Sequence, residues 1–338
     1  MKIGLYIRLL GRPGTVPPPP SWSSVRDQSL AAEAAGFDLV VLEDALLYPD
    51  EGGSLGVWES VSMAAAVAAA TTTIGVGHAV LNSPYRPPAL VAKIAATLDE
   101  IAGGRYTFGI GLGNTPDDYP LFGIDADPRY SRFAEAIQII HGLLHDGRTE
   151  FEGAYYRAPG AELVLRGPRT AGPPIAIAAG KPRALRLVAR YADEWNWWTA
   201  GRDAAPQLAG LAGELERACE EVGRDPATLR RSLDVFSVAV PGVPDLADSG
   251  RLEAQEGTDP PVGWPGRDWE LSRPDGAPGV SSASANAKRA PPSASPAHNA
   301  RASDAPKASR AAHRWVARCR FRLRREVGDE IIALIVLD

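Results

Sequence analysis

The stretch GGRYTFGIGLGN, Gly103 to Asn114, decides how the rest of the chain is read. Gly109, Gly111 and Gly113 alternate with Phe108, Ile110 and Leu112. Residues two apart on a strand share a face, so the glycines line one side and the large apolar side chains the other. The spacing G-x-G-x-G is not the G-x-G-x-x-G of a dinucleotide loop, and the stretch does not follow the first strand. It is predicted to be the fourth strand of a series. Its glycine face leaves room for a neighbouring chain segment or a planar ring.

Outward from this strand the chain alternates between short β-rich runs and helical patterns. KIGLYI, FDLVVLED, TTIGVGHAVL, PPIAIAAG, DEWNWW, RRSLDVFSVAV and the terminal DEIIALIVLD read as further strands. Between them, helices are predicted near Ser24–Ala35, over Trp58–Ala70, from Ala89 to Ile101, around Phe133–Leu144, from Lys181 and over Gln207–Val222. Ala89, Leu90, Val91, Ile94, Leu98 and Ile101 fall on one helical face, closed by Gly103 and Gly104. Strands that alternate with helices imply parallel pairing. Eight such units predict an α/β fold, a (β/α)8 TIM barrel, over the open doubly wound sheet. Chemistry in a barrel sits where strands end, which nominates Glu43 and Asp44, His78 to Asn82, Gly111 to Asn114, Ala178 to Lys181 and Trp195 to Trp198.

Length and composition set the bounds. A chain of 338 residues with net charge −5 fits one large domain and gives no electrostatic reason to expect nucleic acid or an anionic membrane as partner. The two cysteines, Cys219 and Cys319, have no CxxC spacing, so neither a disulfide framework nor a zinc site is indicated. The N-terminus reads as a first strand and not a secretion signal, and SMAAAVAAA is too short to span a bilayer. A cytoplasmic protein is expected.

The rhythm breaks after strand seven. Residues 243–312 are rich in Ala, Ser and Pro, and such a composition cannot bury enough surface to offset its ordering entropy. Three readings stand: a basic tether, a spacer, or a translation artefact such as a compensated frameshift. The third is favoured, because an unstructured insert of this size is uncommon within a compact domain. The expected organisation is a barrel over 1–242, a low-complexity insert over 243–312, and a last helix and eighth strand over 313–338. The barrel is thus expected to be interrupted between strands seven and eight.

Three blocks, YRPPALVAKIAATLDEIAGGRYTFGIGLGN, RFAEAIQIIHGLLHDGRTEFEGAYYR and PPIAIAAGKPRALRLVARYADEWNWW, resemble the luciferase-like monooxygenase superfamily in content, order and spacing. The resemblance covers residues 1–240 and the closing strand. It implies a flavin- or deazaflavin-dependent oxidoreductase with reduced FMN or coenzyme F420 over the C-terminal mouth, a small organic substrate, and a homodimer. With FMN, molecular oxygen would be a second substrate. With F420, the reaction would be hydride transfer. A rival reading is a non-catalytic product whose barrel is too damaged to bind a cofactor.

The site residues come partly from chemistry and partly from this likeness. A strand ending in small residues at a helix start offers free N–H groups and a positive dipole end, suited to an anion. The resemblance places the cofactor phosphate there, at Ala179, Gly180 and Lys181; the plainer alternative is an ordinary tight turn. The resemblance also implies a cis peptide at Ala79–Val80 behind the ring. It places Gly111, Leu112, Gly113 and Asn114 on the cofactor rim, where Asn114 stands in place of a catalytic acid. Asp44 is a cofactor-site candidate, but Ala45 follows it where deazaflavin-dependent dehydrogenases commonly carry a histidine. Asp44, His78 and Asn114 are catalytic candidates, and His78 is as well explained as a structural histidine. Asn196 or Trp198 is expected near the site. His141 and His145, four apart on a helix, lack a third ligand, so no metal is expected.

Overall fold

The computed structural model describes residues 2–14, 18–50, 52–113, 116–199, 204–235 and 333–337. In chain order, the first elements are β1 (Lys2–Ile7), β2 (Leu10–Gly11), α1 (Trp22–Ala34), β3 (Leu39–Leu42), β4 (Leu47–Asp50), β5 (Gly53–Val57) and α2 (Ser60–Ala70). Next are β6 (Gly75–His78), β7 (Leu81–Asn82), α3 (Pro88–Ile101), β8 (Tyr106–Gly111) and α4 (Arg129–His141). The remainder are β9 (Arg148–Glu152), β10 (Arg157–Glu162), β11 (Ile175–Ala178), α5 (Pro182–Tyr191), β12 (Glu194–Thr199), α6 (Ala204–Val222), β13 (Arg230–Val235) and β14 (Ala333–Leu337). The insert expected over 243–312, and 313–338 apart from β14, lie outside the described residues, as does Asn114.

Strands β1, β3, β6, β8, β11, β12, β13 and β14 pair in that order, and β14 returns to β1, so the sheet closes on itself. The pairings from β1 round to β13 are parallel. The closing strand departs from the expected all-parallel barrel. β14 runs against both neighbours, with Lys2 opposite Val336 and Arg231 opposite Leu337. An antiparallel strand satisfies the open backbone edges of β1 and β13 without the crossover geometry that a parallel return requires.

Two small sheets are additions that the alternating pattern did not reveal. β9 and β10 form a hairpin. β2, β5 and β4 form an antiparallel sheet over the mouth, with Leu10, Ala45, Tyr48 and Leu55 as its own small core. Both are short and lack the long apolar runs that identify the barrel strands.

Alternation sorts the barrel side chains. Leu5, Ile7, Val40, Leu42, Val76, Phe108, Ile110, Ile175 and Ile177 face outward into the main core beneath the helices. Leu39 and Val41 form a separate cluster with Tyr6 and Ala79 on the other face, the lumen. The opening stretch is tied in at both ends. Gly103 and Gly104, with φ of 58° and 84°, end α3, and Gly104 N–H donates to Asp99 O at 2.9 Å. The Arg105 guanidinium donates to the carbonyls of Ala68, Thr71 and Ile74 at the end of α2.

Candidate active site at the barrel mouth

The exits of β6 and β8 meet at the mouth. The Ala79–Val80 peptide is cis, and the Tyr6 hydroxyl donates to Ala79 O at 2.6 Å. The β8 glycines lie beneath this bulge. A Cβ at Gly109 would stand 1.9 Å from His78 O, and one at Gly111 would stand 2.9 Å from Val80 Cγ2. Of the two uses open to a glycine face, the structure realises the close approach of a neighbouring segment. Gly113 has φ of 91°, and a Cβ there would meet the Tyr119 hydroxyl at 2.0 Å. The Arg129 guanidinium donates to Gly113 O at 3.3 Å.

Asp44 is not a free base. Its carboxylate accepts from both terminal nitrogens of Arg86 and from Asn82 N–H at 2.9 Å. Arg86 also reaches Glu59, the N-cap of α2, at 2.7 Å. Arg86 lies in the quoted block YRPP, but nothing in its spacing announced a partner forty-two residues away. Glu43, by contrast, is buried beneath the mouth sheet. Its carboxylate accepts from Leu9 N–H at 3.1 Å and bonds the Tyr48 hydroxyl, while burial pushes its pKa up to about 7.

His78 faces away from the lumen. Its Nδ1 pairs with the Tyr106 hydroxyl at 2.7 Å and its Nε2 with Ser60 O at 3.4 Å. An Nε2–H tautomer satisfies both contacts with a neutral ring, and burial lowers the pKa to about 4. This geometry favours the structural role over proton donation.

On the opposite wall, Asn196 turns into the lumen. Its amide donates to Ser232 Oγ at 3.1 Å and, at 3.5 Å, to Asp234. Glu194 bonds Ser232 and lies 3.7 Å from Arg230. Burial raises the Asp234 pKa to about 8. The sequence reading missed Asp234; its parity with Ser232 on strand seven was the available signal. Of the tryptophans, Trp195 is buried in the outer core and donates to Ala179 O at 2.8 Å. Trp197 lies on Gly180, where a Cβ would meet its ring at 2.0 Å, and Trp198 stacks beside it.

The turn from β11 to α5 fits an anion. Lys181 is the N-cap, Pro182 has no N–H to satisfy, and the first-turn dipole end points out of the helix. Arg183 adds a cation, stacked over Tyr130 at 4.1 Å. Gly180 cannot carry a side chain under Trp197, so donation there comes from the backbone. The residues present therefore suit a phosphate group. His141 and His145 lie elsewhere, at the end of α4, their rings stacked at 4.3 Å. Among the described residues no cluster of three or more His, Cys, Asp or Glu could hold a metal ion.

A profile of the luciferase-like monooxygenase family matches residues 1–312. The chain belongs to this family. The match runs past the break expected near 240. Family members are oxidoreductases, and this chain is a luciferase-like enzyme with the family's barrel-type α/β fold. It is 33% identical to an uncharacterized protein of Mycobacterium tuberculosis, over 65% of this chain and 80% of that protein. It is 34% identical to the F420-dependent glucose-6-phosphate dehydrogenase of Nakamurella multipartita, over 60% of this chain and 59% of that enzyme. Its fold is similar to that of the monooxygenase RslO1 from Streptomyces bottropensis, with TM-score 0.60 and 22% identity over 75% of this chain and 76% of the other. No helix among the described residues is long and apolar enough to cross a membrane.

Proposed function

We propose that this chain is a cytoplasmic oxidoreductase that holds reduced FMN over the barrel mouth and oxidises a small organic substrate with molecular oxygen. The observation that carries the reading is the close seating of the 78–80 segment on Gly109 and Gly111, pinned through Ala79 O by the Tyr6 hydroxyl. This packing gives the mouth a fixed wall against which a planar ring can lie. Gly111, Leu112 and Gly113 form the adjoining rim, and the family resemblance assigns Asn114 to it as well. Gly180 and Lys181 take the phosphate through backbone N–H groups and the helix dipole, and Ala179, whose N–H donates to Asn196 O at 3.4 Å, shapes the turn beneath it.

When bound, the flavin supplies the redox chemistry. The protein's part is to orient the ring and keep water away. Asp44 acts through Arg86, fixing the β7 turn by its bond to Asn82 N–H. Glu43 ties the mouth sheet to β1 through Leu9.

A second reading is hydride transfer with coenzyme F420, favoured by the 34% identity to an F420-dependent dehydrogenase. Ala45, in place of a histidine after Asp44, counts against alcohol oxidation within that reading. The deciding experiment is titration of the purified protein with FMN and with F420, followed by visible absorption and equilibrium dialysis. Saturable binding of FMN supports the first reading, and binding of F420 alone supports the second. Soluble, folded protein that binds neither overturns both and leaves a non-catalytic barrel. Sedimentation of the same sample tests whether the chain is a homodimer.

A further inference from the structure

Tyr119 is 2% exposed, yet its hydroxyl has no hydrogen-bond partner among the described residues. It lies directly on Gly113, at the exit of β8, within 2.0 Å of where a Cβ on that residue would stand. The Tyr85 ring meets it edge-on at 5.6 Å, so the ring is held in place by packing alone. Buried hydroxyls are rarely left unmatched, and each that is calls for an explanation, such as a bound water or ion, or a role at a site. Phenylalanine would fill the same volume without the desolvated oxygen. A position serving the core alone has no use for the hydroxyl.

We propose that Tyr119 is a cofactor-contacting residue, its hydroxyl donating a hydrogen bond to a polar atom of the flavin-type group that lies along the Gly113 rim. This rests on the flavin-type reading of the mouth. Gly113 is then required twice over. Its positive φ turns the chain at the β8 exit, and its missing Cβ lets the hydroxyl reach the rim. Burial holds the phenol in its neutral, donating form, with its pKa raised above the usual tyrosine value.

The test is Tyr119→Phe, read by two measurements on the full chain. Thermal melts without cofactor report the cost of the unmatched hydroxyl. Equilibrium dialysis reports the dissociation constant for FMN or F420, whichever the wild type binds. The expected result is a melting temperature at or above wild type, together with about fivefold weaker cofactor binding. A variant that melts higher and binds equally well overturns the proposal, because the hydroxyl is then only a burden on the core. A wild type that binds neither cofactor overturns the flavin-type reading as well, so the two failures are distinct.

Discussion

Asp44 and Arg86 form a two-bonded ion pair at the barrel mouth, Nη1 to Oδ2 at 2.8 Å and Nη2 to Oδ1 at 3.0 Å. The Asp44 side chain is 3% exposed and that of Arg86 15%, so solvent screens the pair little. The pair joins the loop after β3 to the turn after β7, and through Glu59 it reaches the start of α2.

Arg86→Leu leaves the Asp44 carboxylate buried without its cation. The expected loss is about 3–5 kcal/mol of unfolding free energy, read from urea midpoints. Adding Asp44→Asn to that variant recovers part of the loss. Arg86→Lys falls between, because an ammonium cannot make the paired contact. A fully stable Arg86→Leu protein would show that the pair is dispensable.

Gly109→Ala and Gly111→Ala separate the two ways the β8 glycines serve the bulge. At 109 the new methyl meets backbone, His78 O, which cannot move without shifting the bulge. At 111 it meets the end of the Val80 side chain, which can rotate. Gly109→Ala is expected to cost more than the ~1–3 kcal/mol of ordinary overpacking, and Gly111→Ala no more than that range. Equal urea midpoints for the two variants would contradict this assignment.

His78 makes the protein acid-sensitive. Its folded pKa of about 4 lies below the ordinary histidine value, so the unfolded chain binds more protons in between. The stability it contributes is complete above about 6.5, the ordinary value, and is lost as pH falls towards 4. His78→Gln should flatten melting temperature across that window. An unchanged pH slope would assign the acid sensitivity elsewhere.

Glu43 and Asp234 act in the opposite sense. Their folded pKa values, about 7 and about 8, lie above the ordinary carboxyl range, so the folded protein holds the extra protons. Their contribution is complete below the ordinary carboxyl pKa, near 4, and is lost as pH rises through 7 and 8. Glu43→Gln and Asp234→Asn should each reduce the loss of stability between pH 5 and pH 8.5, measured as unfolding free energy from urea titrations at each pH, by up to about 1.4 kcal/mol per pH unit for one proton. Glutamine still accepts from Leu9 N–H, which limits other effects at 43.

Most barrel elements were legible because burial on two faces leaves long apolar runs with helices between them. KIGLYI and RYTFGIGLG appear as strands within a residue or two of their expected limits. The mouth sheet was not legible, since Leu10–Gly11 and Gly53–Val57 are short and owe their pairing to each other. At the site, position was readable and partnership was not. Asp44 and His78 stood at strand ends in the sequence, but Arg86 and Tyr106, which occupy them, are distant in the chain.

The sequence by itself determined the alternating strands and helices, the glycine face of β8 and the family. These follow from local periodicity and from blocks that persist in order. Only the tertiary structure decided what the glycines are for, that His78 faces the core, that Asp44 is already paired, and that β14 closes the ring antiparallel. Each depends on atoms brought together from distant parts of the chain, where burial and close contact, and not residue type, set which groups remain available for chemistry.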